Sequence, residues 1–103
     1  MKMLNVICGE KLEVEILALF KDLGIKGYTV ISGVGGSGHT GTVSGTGGST
    51  DRNTLFMVAL EDEHIHMTQI VNAVREIHAR HVHGCGGLEI PLKVFLLPCE
   101  VLL

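Results

Sequence analysis

GVGGSGHTGTVSGTGGST, residues 33–50, decides how this chain is divided. Eight of its eighteen residues are glycine and seven are serine or threonine; only Val34, His39 and Val43 break the pattern. A segment so poor in apolar groups cannot bury enough surface to offset the entropy of ordering its backbone. The sequence on both sides is strongly apolar. A long loop held inside a compact domain is generally a working part. The first expectation is a mobile functional loop at about residues 33–52, ordered in part when a ligand or partner supplies contacts.

Working outward from the loop, residues 26–32 (KGYTVIS) read as a strand, rich in β-branched and aromatic side chains. Before it, Leu12, Ile16, Leu19, Phe20 and Leu23 recur at helical spacing within residues 10–23, and Gly24 follows where a helix stops. Residues 2–8 (KMLNVIC) form a further strand. After the loop, residues 53–61 (NTLFMVALE) are apolar at both odd and even positions, so both faces of that strand should be covered. Asp62 is a candidate N-cap for a second helix over residues 63–80, whose inner face carries Met67, Ile70, Val71, Val74 and Ile77. Residues 82–87 (VHGCGG) read as a glycine-rich turn, and residues 92–97 as the last strand, bounded by Pro91. The order strand, helix, strand, strand, helix, strand is the split βαβ, ferredoxin-like plan of an α+β domain. Helices would cover one face of an antiparallel sheet and leave the other apolar face for assembly with further copies.

The 103 residues suit a single domain, residues 1–103, at a hydrophobic content of 46%. The formal net charge is −3 and no run of Lys or Arg occurs, so nucleic acid is not an expected partner. No apolar stretch approaches the roughly 20 residues that span a bilayer, which argues against membrane insertion. The opening MKMLNVICGEK lacks the pattern of a signal peptide, and the three widely spaced cysteines, Cys8, Cys85 and Cys99, fit reduced thiols. A cytoplasmic location is expected. Cys8 should be a buried, inert thiol and Cys85, between glycines, the reactive one.

The stretch Gly33-Val34-Gly35-Gly36-Ser37-Gly38 satisfies GxGxxG. A dinucleotide fingerprint requires a helix to start there, and the following Gly, Thr, Val and Ser are poor helix formers. Consecutive glycines can instead turn several backbone N–H groups toward one anion. No nucleophile–base pair is evident, since His39 is the loop's only base and a mobile loop cannot hold a triad in register. A non-enzymatic ligand sensor is the expectation.

GYTV at positions 27–30, a loop containing Gly33-x-Gly35 and Gly38-His39-Thr40, and the closing Lys93-Val94-Phe95…Pro98-Cys99-Glu100-Val101-Leu102 resemble the PII signalling superfamily over essentially the whole chain. KGYTV and the EVL ending are most similar to the PII-like branch associated with bicarbonate transport and carboxysomes. The resemblance implies a homotrimer with adenine nucleotides in the clefts between subunits, and a T-loop that switches a partner such as an inorganic-carbon transporter or a carboxysome-related protein. It also implies one cleft wall from Thr29, Gly33, Gly35, Gly36, Ser37 and Gly38. A second comes from Gly84, Gly86 and Gly87, with Lys93 opening the last strand. Relative to the family's GFGRQKGHTE stretch, this loop is one residue shorter and lacks the Arg, Gln and Lys. The missing Gln argues against magnesium–ATP and 2-oxoglutarate, and the loop holds no tyrosine for uridylylation. Few cations near the expected phosphates favour AMP or ADP over ATP. Bicarbonate as a second ligand is likewise implied by the resemblance.

A competing signal lies in the histidines. His64, His66, His78, His81 and His83 fall within twenty residues, with Cys85 close behind. His78, His81, His83 and Cys85 supply the N and S donors that zinc, copper or nickel take, which would make a metal-homeostasis protein of the same fold. The other reading has His78 and His81 extend the helix's inner stripe and satisfy hydrogen bonds there.

Overall fold

A computed structural model describes residues 1–38, 41–43, 52–61, 64–84 and 91–103. Four strands form one antiparallel sheet: β1 (Lys2–Gly9), β2 (Thr29–Val34), β5 (Asn53–Leu60) and β6 (Leu92–Pro98), in the spatial order β2-β5-β1-β6. Helices α1 (Glu13–Asp22) and α2 (His64–Gly84) complete a ferredoxin-like α+β plan. β5 lies between β1 and β2, splitting the βαβ unit as the element order requires.

Alternation along the strands assigns the two faces. Leu4, Val6 and Cys8 on β1, Thr54, Phe56, Val58 and Leu60 on β5, and Leu92 on β6 are buried beneath the helices. Ile16 and Phe20 of α1 and Ile70, Val74 and Ile77 of α2 close over them. Phe20 centres this core, with Phe56 edge-on at 5.5 Å between ring centroids and Tyr28 tilted at 5.4 Å.

The opposite face is largely apolar, and none of the described helices covers it. Met3 and Ile7, Leu55 and Met57, Phe95 and Leu97, and Ile31 lie on it by register. Ile31, Phe95 and Leu97 are each close to half exposed. Asn5 and Asn53 lie on the same face, and the Oδ1 atom of each is buried without a hydrogen-bond partner among the described residues.

Gly24 ends α1 as its position predicts. Its φ is +73°, the Ile25 N–H reaches back to the Phe20 carbonyl at 2.9 Å, and the Gly24 N–H reaches that of Lys21 at 3.1 Å. These paired bonds satisfy carbonyls the helix would otherwise leave open. A 3-10 turn, Glu10–Leu12, precedes α1 where continuous helix was expected.

Three boundaries differ from expectation. β2 starts at Thr29, because pairing with β5 begins at Thr29 opposite Met57, and it extends to Val34 through a bulge. The helix α2 continues through residues 82–84, which were expected in a turn. The stretch expected to be structureless carries two short strands, β3 (Gly36–Gly38) and β4 (Gly41–Val43), paired Gly36 to Val43, Ser37 to Thr42 and Gly38 to Gly41. Asp62, the expected N-cap, lies outside the described residues. None of the described helices is long and apolar enough to cross a membrane.

Candidate functional site

The loop root is built by a bulge. Between Ile31 and Val34 the register of β2 on β5 shifts, and Gly33 takes φ +72°, a conformation that costs an L side chain roughly 1–2 kcal/mol. The bulge turns the strand toward Gly35 and the β3–β4 ladder. The returning chain enters β5 through Arg52 and Asn53. A Cβ on Gly33 would stand 4.0 Å from Cδ and Nη1 of Arg52, so the guanidinium lies over the bulge.

Two backbone bonds lock this corner to the rest of the sheet. The Glu10 N–H donates to the Arg52 carbonyl at 2.8 Å, and the Gly9 N–H donates to the Pro91 carbonyl at 2.8 Å. A Cβ on Gly9 would meet Cγ of Pro91 at 3.0 Å, so a larger residue there would have to push the proline ring aside by a few tenths of an ångström. The end of β1 thus ties the loop root on one side to the entrance of β6 on the other.

The two helices meet at the same end. The Glu15 carboxylate of α1 receives His81 of α2, Nε2 to Oε1 at 2.7 Å, while Arg80 approaches its other oxygen at 3.6 Å. This contact holds the last turns of α2, and with them Gly84, beside the start of α1. The loop root, Gly84 and the entrance of β6 therefore collect at one end of the domain.

Of the residues expected to bind, Thr29 is exposed on the open face at the far end of β2 from the bulge. Gly33 and Gly35 form the root, and Gly36, Ser37 and Gly38 belong to β3 rather than to an irregular nest. Gly84 is the last residue of α2. Lys93 lies on β6 opposite Ile7, on the open face. Gly86 and Gly87 lie outside the described residues. β2 and β6 are the two edges of the sheet, three strand spacings or roughly 14 Å apart. One protomer therefore does not bring Lys93 onto its own Gly33.

Arg52 was missed on sequence, although it is the one Arg or Lys between Lys26 and Arg75. That isolation, at the margin of a glycine-rich loop, was the available signal.

The expected metal set is not assembled by what is described. His81 is engaged by Glu15, while His78 lines a groove between α2 and β6 with Leu92 and Val94. The side chain of His83 and all of Cys85 lie outside the described residues. Among the described residues no three His, Cys, Asp or Glu side chains are placed to hold a metal ion. Cys8 is fully buried, and burial, reinforced by the Glu13 carboxylate, pushes its thiol up to about 12.

Known proteins match this architecture. None of the curated proteins matches the sequence. Among solved structures, a nitrogen regulatory PII-like protein, CPII, from Thiomonas intermedia K12, bound to ADP, AMP and bicarbonate, superposes with a TM-score of 0.71 at 18% identity, over 92% of this chain and 81% of its own. Its apo form gives 0.54 at 18% identity, over 92% and 84%. A PII-like signaling protein from Thermus thermophilus gives 0.59 at 18% identity, over 92% and 80%. At such identities the likeness attests the fold. The family model for nitrogen regulatory protein P-II matches residues 1–100, and the chain belongs to that family.

Proposed function

We propose that this chain is a non-enzymatic, cytoplasmic signalling protein that binds adenine nucleotides in clefts between three copies of itself. AMP and ADP are favoured over ATP, and bicarbonate is a second ligand. The observation that carries the proposal is the loop root. A positive-φ glycine bulge stands beneath Arg52, locked through Gly9 and Glu10 to the entrance of β6. A guanidinium standing over a glycine bulge suits a phosphate. The CPII relative solved with ADP, AMP and bicarbonate supports the choice of ligands.

Assembly from several copies is supported by the sheet. Its open, largely apolar face would gain from burial, and the buried Oδ1 atoms of Asn5 and Asn53 find no donor among the described residues. The placement of Lys93 on the opposite sheet edge favours a cleft whose two walls come from different copies.

Nucleotide occupancy would bias the loop between two states, provided it binds one better than the other. The loop would then engage or release a partner, an inorganic-carbon transporter or carboxysome-related protein. Isothermal calorimetry with AMP, ADP and ATP, each with and without bicarbonate, tests the proposal. The expected result is stronger binding of AMP or ADP than of ATP. Absence of binding by all three at millimolar concentration overturns it.

A further inference from the structure

Residues 99–103 follow β6 with no regular secondary structure, and their apolar side chains are strongly exposed, Val101 by 66% and Leu102 by 89%. The Cys99 N–H donates to the Met1 carbonyl at 3.3 Å, which carries the segment onward past the start of β1. On the helix side of β6, a groove of about 350 Å³ runs between that edge strand and α2. Val71, Val74, Leu92, Val94 and Leu96 line it, and the exposed Arg75 stands with them. Leu96, within the groove, is itself half exposed.

We propose that this groove receives residues 100–103 of a second copy of the chain. Val101 and Leu102 fill the apolar channel, and the Glu100 carboxylate pairs with the Arg75 guanidinium. Three observations single out this occupant. The segment presents contiguous apolar side chains with one acid in front, and the groove presents apolar side chains with the Arg75 guanidinium and the His78 imidazole among them. The segment follows the Pro98 end of β6, beyond Leu96, and Cys99 is tied to Met1 there, so entering its own groove would require the chain to reverse within a few residues. The groove is edged by β6, whose alternate residues Phe95 and Leu97 lie half exposed on the open sheet face where copies are proposed to meet. An exchange in which each copy gives one segment and receives one closes on itself around a ring and leaves no groove empty.

This inference rests on the assembly of more than one copy, and the test separates the two claims. Val71→Cys and Leu102→Cys are introduced together into a chain carrying Cys85→Ser and Cys99→Ser, with buried Cys8 left in place. The product is treated with a short bismaleimide, resolved under denaturing conditions, and sized beforehand by light scattering. Interchain links in an oligomeric sample are expected, absent when either new cysteine is omitted. An oligomer without interchain links, or with links only inside one chain, overturns the placement of the segment and leaves the assembly standing. A monomer overturns both. A second variant set guards against misfolding: Arg75→Glu or Glu100→Arg alone should lower the interchain yield by roughly twofold to fivefold, and the two together should restore it. Equal yields across that set, with unchanged circular dichroism, overturn the pairing.

Discussion

The Thr54 hydroxyl donates a 3.0 Å hydrogen bond to Oε2 of Glu13, joining the sheet to α1 two residues from Arg52. Thr54 is the one buried polar residue of the described core, and it lies opposite Cys8 on β1. The two partners are unequal. Removing the hydroxyl leaves a half-buried carboxylate that water can reach, whereas removing the carboxylate strands a buried donor. Thr54→Val should therefore cost under about 1 kcal/mol and Glu13→Ala about 1–3 kcal/mol. Urea denaturation of both variants measures the difference, and the reverse order would contradict this account.

The same corner makes Cys8 a reporter of alkaline stability. Its thiol is raised from the ordinary 9.0 to about 12, chiefly by burial and secondarily by Glu13. Below pH 9 both folded and unfolded chains keep the proton, so the contribution to stability is complete. Between pH 9 and pH 12 the unfolded chain loses that proton first, and stability falls, by at most about 1.4 kcal/mol per pH unit. The stability difference between wild type and Cys8→Val should shift in favour of the variant across that window and stay constant below it. Urea midpoints at pH 7, 8.5, 10 and 11 check this. At neutral pH, iodoacetamide should leave Cys8 unmodified in the folded protein while it alkylates the partly exposed Cys99.

Gly24 and Gly33 form a matched pair, with φ of +73° and +72°. A Cβ at Gly24 meets nothing within 4 Å, and one at Gly33 only grazes Arg52 at 4.0 Å. Conformational strain should therefore set both costs, about 1–2 kcal/mol for each alanine substitution. Only Gly33→Ala should also weaken adenylate binding, because only that bulge aims the loop. Thermal melts paired with calorimetry distinguish the two effects. Equal loss of nucleotide affinity in both variants would remove the bulge from the site.

The parts of the fold legible in the sequence were those with a local physical signature. Gly24 marked the end of α1 because an L residue resists the conformation that closes a helix, and the alternation in β5 disclosed a strand apolar on both faces. The rest depended on contacts distant in sequence. The last turns of α2 look like a glycine-rich turn until Glu15, 66 residues before His81, is seen to hold them. The β3–β4 ladder was illegible because glycine has no side chain to carry an alternating pattern. At the site, Gly33 could be picked from its motif. Arg52 could be placed over it only once the bulge and the return into β5 were known.

Arg52 supplies the sharpest test of the site. It is the cation that the structure sets over the Gly33 bulge, and the glycine-rich stretch itself contains none. A charge-assisted hydrogen bond to phosphate contributes about 1.5–3 kcal/mol. Arg52→Ala should therefore weaken ADP binding by roughly tenfold to a hundredfold. Arg52 is half-buried, and its carbonyl, not its guanidinium, holds Glu10, so the variant should keep its melting temperature within a few degrees. Arg52→Lys should recover part of the affinity, since the charge returns without the two-pronged geometry. The wild-type advantage over Arg52→Ala should shrink as salt is raised. Unchanged ADP affinity in a folded Arg52→Ala protein would mean that the phosphate is held elsewhere, and that the guanidinium over Gly33 serves only to pack the loop root.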